Sequence, residues 1–222
     1  MPKAFLYSNK ISSFPFVEGV FLSGAISKNY YDEHGDIDYF IITKPNRLWI
    51  CRTLLIIRYK LLPKSKKKFW CVNYFIGSNN LEIPEENLFV ATEIAYLVPT
   101  INYDLYTKFL RANVWFKKHY PNKNEHSNKQ CNALPKNFLK VLIEKILSGF
   151  LGDVLDNFLL KITLKHWQKK YPTLSTIDFE LQFRSQKNVC KRHTTGYQNI
   201  VMDNYLNKQI IFEKEHNVIL QH

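Results

Sequence analysis

The stretch VFLSGAISKNYYDEHGDIDYFIIT, residues 20–43, decides how the chain folds. An apolar run, Val20-Phe21-Leu22, stops at Ser23-Gly24; a polar loop follows; then Asp36-Ile37-Asp38 leads into Tyr39-Phe40-Ile41-Ile42. This reads as strand, turn, strand. Side chains alternate along a strand, so Asp36 and Asp38 are expected on one face and Ile37 and Tyr39 on the other. Two neighbouring carboxylates repel unless a cation or a basic group lies between them. Such a pair beside a glycine turn is a candidate Mg²⁺ site, with Mn²⁺ as the alternative ion, because hard cations bind through one or two carboxylates plus substrate phosphates. On its own, Asp-x-Asp is more often the solvated start of a half-buried strand.

Gly24 followed after Ala25 to Gly35 by Asp36-Ile37-Asp38 resembles the nucleotidyltransferase (DNA polymerase beta-like) superfamily, in its minimal bacterial form. The resemblance covers roughly residues 14–76. It implies an α+β fold: a small mixed β-sheet core with flanking helices. It also implies a Mg²⁺-dependent transfer of a nucleoside monophosphate from a nucleoside triphosphate to a hydroxyl acceptor. In that reading Asp36 and Asp38 are catalytic and hold the metal. Ser23, Gly24, Ser27 and Lys28 meet the nucleotide. Two positions depart from the family pattern, Ala25 where a serine is usual and Asn29 where a second glycine is common. The third metal-pocket carboxylate of the family falls on Asn73, in the strand expected at Phe69 to Ile76. An amide oxygen can ligate Mg²⁺, yet it brings no charge and takes no proton from an attacking hydroxyl. Glu82 is a candidate replacement. The alternative function is a catalytically degenerate domain that binds nucleotide or nucleic acid. A glycosyltransferase and a purely structural interaction protein are the remaining rivals.

With 222 residues, 45% hydrophobic and 15% aromatic, the chain can bury a sizeable core and is not a disordered one. Its formal charge of +12 favours polyanionic partners, nucleic acid included, although AT-rich coding also enriches Lys and Asn. The four cysteines form no C-x-x-C pair, and no stretch has the uncharged length of a membrane span, so a reducing, cytoplasmic setting is expected.

Residues 1–83 are assigned to the α/β core and 84–222 to a mainly helical region, with a linker-like loop near 121–134 and a basic C-terminal tail. Residues 4–13 predict a leading helix. Asn46 is the expected N-cap of a basic helix from Arg47 to about Leu61, with Leu48, Cys51, Leu55 and Tyr59 on its apolar face. Pro84 with Glu85-Glu86 marks a helix start. Further helices are expected over Asp104 to His119, over Pro135 to Tyr171 with an interruption near Gly149 and Gly152, and from Tyr197. The wide apolar stripe of 135–171 suits a homo-oligomer interface. In the tail, Lys187, Lys191, Arg192 and His193 are candidate phosphate contacts. His34 stands beside the acids.

Overall fold

The computed structural model describes residues 2–30, 35–128, 131–135, 137–191 and 197–219. Helix α1 (Pro2–Ser12) leads into β1 (Val17–Ser23), whose end runs directly into the single turn α2 (Gly24–Ser27). The chain returns as β2 (Asp38–Thr43), antiparallel to β1, with Ser23 opposite Asp38. Helix α3 (Leu48–Leu61) and the short α4 (Lys64–Lys67) carry it to β3 (Cys71–Gly77), which lies parallel to β2. Parallel neighbours require such a crossover, which is what the basic helix supplies. Then follow α5 (Leu88–Ala95), β4 (Val98–Ile101), α6 (Tyr103–Ala112), a 3₁₀ turn at Val114–Lys118, α7 (Phe138–Ile146), α8 (Phe150–Lys170) and α9 (Thr176–Gln182). The hairpin β5 (Ser185–Gln186) and β6 (Val189–Lys191) precedes α10 (Tyr197–His216). The strands form one mixed sheet in the order β4-β1-β2-β3-β6-β5, so the fold is α+β with a mainly helical C-terminal region. The sheet crosses the boundary drawn at residue 83: β4 joins the free edge of β1, and β6 pairs with β3.

Alternation along the central strands divides the interior into two cores. Val20, Leu22, Tyr39, Ile41 and Phe75 point to the side covered by α1, α3 and α8, while Phe21, Phe40, Ile42 and Ile76 point to the side covered by α5 and α6. Both faces of β1 and β2 are therefore buried, which is why the sequence shows unbroken apolar runs there.

Several boundaries differ from the sequence reading. Asn46 does not cap α3; it sits in the left-handed region at φ 58°, and Arg47, the residue before the helix, makes no side-chain cap. The free N–H groups of Trp49 and Ile50 are instead accepted by Asp156 Oδ1 of α8, at 2.8 and 2.9 Å. Asp156 is fully buried, and burial raises its carboxyl above the usual range. Pro84 does not begin α5; Asn87 does, its side chain accepting from Val90 N at 3.0 Å. The helix expected over Asp104 to His119 is cut at Asn113, a buried residue. Asn113 accepts from Ile83 N at 2.7 Å and donates to Leu81 O at 2.8 Å, tying the 81–83 loop to the helical layer. The strand expected from Phe69 begins at Cys71, since the Phe69 and Trp70 amides close a turn onto Lys66 and Lys67. The helical interval 135–171 does break near Gly149, giving α7 and α8. Among the described residues no helix is long and apolar enough to cross a membrane.

Candidate functional site

Gly24 takes φ 67°, the left-handed region where a Cβ is disfavoured, and a Cβ there would stand 2.3 Å from Asp38 Oδ2. The glycine is required by the close approach of the Asp38 carboxylate to the turn. Ser27 is buried and donates its hydroxyl to Gly24 O at 2.9 Å, so this group holds the turn together. Lys28 Nζ reaches the same carbonyl at 3.1 Å and Glu93 Oε1 of α5 at 2.7 Å. Its charge is thus matched by a carboxylate. Ser23 and Ala25 line the cavity that opens at this point.

Loss of water around the Asp38 carboxyl raises its pKa; a hydrogen bond with Cys71 opposes this, and the charges of Asp36 and Glu93 add to the rise. Asn73 explains part of the opposition. The β2–β3 register shifts between Tyr39 and Phe40, and Asn73 is the extra residue of β3 at that irregularity. Its Nδ2 donates to Asp38 Oδ1 at 3.1 Å and to Cys71 Sγ at 3.0 Å. The position expected to carry a third metal oxygen thus offers Asp38 an N–H. Burial and the neighbouring acids push the Cys71 thiol up, so it stays protonated beside Asp38.

Asp36 precedes β2 and is exposed. It opens onto a groove between α3 and α8, whereas Asp38 faces a cavity beneath α5; Asn73 borders both spaces. The two acids thus stand at the junction of two concavities. Among the described residues no three of His, Cys, Asp and Glu converge to hold a metal without other ligands. Two carboxylates remain, and with a substrate's phosphates completing the shell they match the donor set that Mg²⁺ accepts.

The cavity beneath α5 measures about 360 Å³ and is walled by Phe40, Tyr74 and Phe89. A second space of about 450 Å³ shares Gly24, Ala25, Phe89 and Glu93 with it and is bordered by α10. Two acids of the first cavity were not foreseen, Glu85 and Glu93. Glu85 is paired with Arg184 at 2.6 Å. Glu82, the replacement carboxylate expected from sequence, is exposed and does not line this cavity. Of the basic tail, Lys191 reaches the cavity from β6; it is buried, its ammonium lowered in pKa by burial, and it donates to Gln198 Oε1 at 3.2 Å. Lys187 turns instead to Asn157 and Asp156. Arg192, His193 and His34 lie outside the described residues. Glu93 on α5 and Glu85 in the loop before it could not be found by local spacing, because only the packing of this segment over β2 and β3 brings them to the cavity.

Comparison of the chain with family models, with curated proteins and with solved structures finds no match.

Proposed function

We propose that the chain is a nucleotidyltransferase whose nucleoside triphosphate lies in the cavity beneath α5 and whose acceptor approaches Asp36 from the α3–α8 groove. The observation that carries this reading is the junction itself. One carboxylate faces each concavity, and the Gly24 turn is pressed against Asp38 so closely that no side chain fits between. Asp36 and Asp38 would hold Mg²⁺, which supplies positive charge to stabilise the negative charge developing on the phosphates. Lys191, whose hydrogen-bond partner is the neutral Gln198, is the cation offered to phosphate oxygens; Lys28 is occupied by Glu93. Tyr74 and Phe89 form an apolar wall for the base. In the transfer, the acceptor hydroxyl oxygen bonds to the α-phosphorus. The bond from that phosphorus to the oxygen bridging to the β-phosphorus breaks, and its electron pair leaves with pyrophosphate. The hydroxyl proton passes to the Asp36 carboxylate.

A second reading, a domain that binds nucleotide without transferring it, draws on Asn73, which donates to Asp38 where the family pattern has a carboxylate. Calorimetric titration with each Mg²⁺-nucleoside triphosphate, run on the wild type and Asp38→Asn, tests the shared premise. Binding that weakens at least tenfold in the variant supports the site, and equal binding contradicts it. Label transfer then separates enzyme from binder. Self-association through α7 and α8 is proposed as well, because Phe138 and Phe150 are 77% and 79% exposed there. Sedimentation at rising concentration tests it, and a monomer at every concentration contradicts it.

A further inference from the structure

The groove onto which Asp36 opens has a volume of about 490 Å³ and is built from α3, the approach to β3, and the last turns of α8. Its charge is one-sided. The cations Arg52, Lys60, Lys67 and Lys170 line it, together with His166, against the single acid Asp36 at one end. Several cations elsewhere are neutralised, Lys28 by Glu93, Lys44 by Glu144, Arg47 by Asp153 and Arg184 by Glu85, although Lys191 in the cavity beneath α5 has the neutral Gln198 as its partner. Among the described residues none of the groove's cations has a carboxylate within ion-pair distance. Three of them, Arg52, Lys67 and Lys170, lie over aromatic rings instead. Arg52, buried, sits 4.8 Å from the Trp167 ring centre and 5.7 Å from that of Trp49; Lys67 lies 5.2 Å from Tyr59, and Lys170 5.4 Å from Tyr171. A ring face attracts the cation and fixes its position, yet leaves its charge available to an anion.

We infer that this groove seats a single-stranded nucleic acid and directs its terminal hydroxyl to Asp36. Alternating cations and rings form the surface that single strands use, the cations following the backbone while the bases stack. Tyr59 and Tyr171 are half-buried and retain ring surface in the groove. A space of about 490 Å³ takes one or two nucleotides. The delivery of the hydroxyl rests on the nucleotidyltransferase reading; seating of the strand does not.

Fluorescence anisotropy with labelled oligouridylate and oligothymidylate over a salt series tests the inference. The proteins compared are the wild type, Lys60→Ala/Lys67→Ala/Lys170→Ala, and a control with the same charge loss on an exposed distant surface, Lys108→Ala/Arg111→Ala/Lys117→Ala. The groove variant is expected to lose tenfold or more in affinity at low salt and to flatten the log–log salt slope by about 2, at roughly 0.7 for each phosphate contact on a single strand. The control should keep most of the affinity. Equal losses in both variants would mean that net charge alone binds the strand, and no binding by the wild type would mean that nothing does; either overturns the inference. As a readout independent of these variants, photo-cross-linking with a bromouracil strand should label peptides of α3 or α8, and labelling confined to other elements overturns it. Asp36→Asn/Asp38→Asn separates the two claims. Groove-dependent strand binding with no transfer from any nucleotide, even by the wild type, removes the transferase reading and leaves the groove. Transfer to another acceptor without strand binding does the reverse. Comparing the two oligonucleotides decides between RNA and DNA.

Discussion

Gly24→Ala offers a direct check on the geometry at Asp38. The new Cβ would stand 2.3 Å from Asp38 Oδ2 and 3.1 Å from its carboxyl carbon, at a backbone φ of 67°. The left-handed conformation costs an L residue roughly 1–2 kcal/mol, and forcing a methyl into an occupied site about 1–3 kcal/mol more. The carboxylate cannot swing away freely, because Asn73 holds its Oδ1. A loss of about 2–5 kcal/mol is therefore expected, read as a lower urea midpoint with an unchanged slope. Gly149→Ala is the comparison: nothing lies within 4 Å of its Cβ and its φ is −98°, so less than about 1 kcal/mol should be lost at that N-cap position. A double-mutant cycle of Gly24→Ala with Asp38→Ala isolates the clash. Removing the carboxyl should recover about 1–3 kcal/mol of the loss, the steric share, and leave the backbone share. If Gly24→Ala unfolds no more easily than Gly149→Ala, the account of the turn is wrong.

Other substitutions probe the remaining joints. Asp156→Ala strips the cap from Trp49 N and Ile50 N and should cost about 2 kcal/mol in chemical unfolding, with Asp156→Asn costing less because its amide oxygen still accepts; equal stability of all three proteins would refute the cross-helix cap. The pKa of Asp38 is raised in the folded state, so the folded protein holds that proton more tightly than the unfolded chain. The resulting stabilisation is complete below the ordinary carboxylate value of 3.8 and is lost as pH rises through the folded pKa. Asp38→Asn should accordingly gain stability relative to the wild type as pH rises through that window, and a gap between their unfolding midpoints that stays constant with pH speaks against it. Glu93→Gln removes one of the charges that raise Asp38. It should move the Asp38 titration, followed by carboxyl NMR, toward 3.8 while changing stability by less than about 1 kcal/mol, since the Lys28–Glu93 pair is part-exposed at 26% and 33%. An unmoved titration would place Glu93 too far away to matter.

The parts of this molecule that follow from local pattern were legible in the sequence. Strand, glycine turn and Asp-x-Asp are encoded within residues 20–43, and the crossover helix shows its apolar face at Leu48, Cys51 and Leu55, all fully buried. Edge strand β4 was hidden by Pro99, which reads as a breaker; at an edge the missing N–H costs no ladder bond. The hairpin β5–β6 was read as a tail because its strands have two and three residues, too few to show alternation. Caps supplied from afar left no local signal: Asp156 lies 107 residues from the Trp49 N–H that it accepts. The same holds at the site. Asp36, Asp38 and Gly24 were readable, whereas Glu93, the cavity position of Lys191 and the cation-bearing groove exist only once α5, β6 and α8 are packed onto the sheet.

The central claim is that Asp36 and Asp38 serve metal-dependent transfer at the junction of the two concavities. It is tested most directly by incubating the protein with α-labelled nucleoside triphosphates, Mg²⁺ and single-stranded acceptor, and measuring labelled product together with pyrophosphate. The account predicts that both appear in equal amounts, require Mg²⁺, and disappear in Asp36→Asn/Asp38→Asn while that variant still binds the strand. Product that persists undiminished in the variant would contradict it.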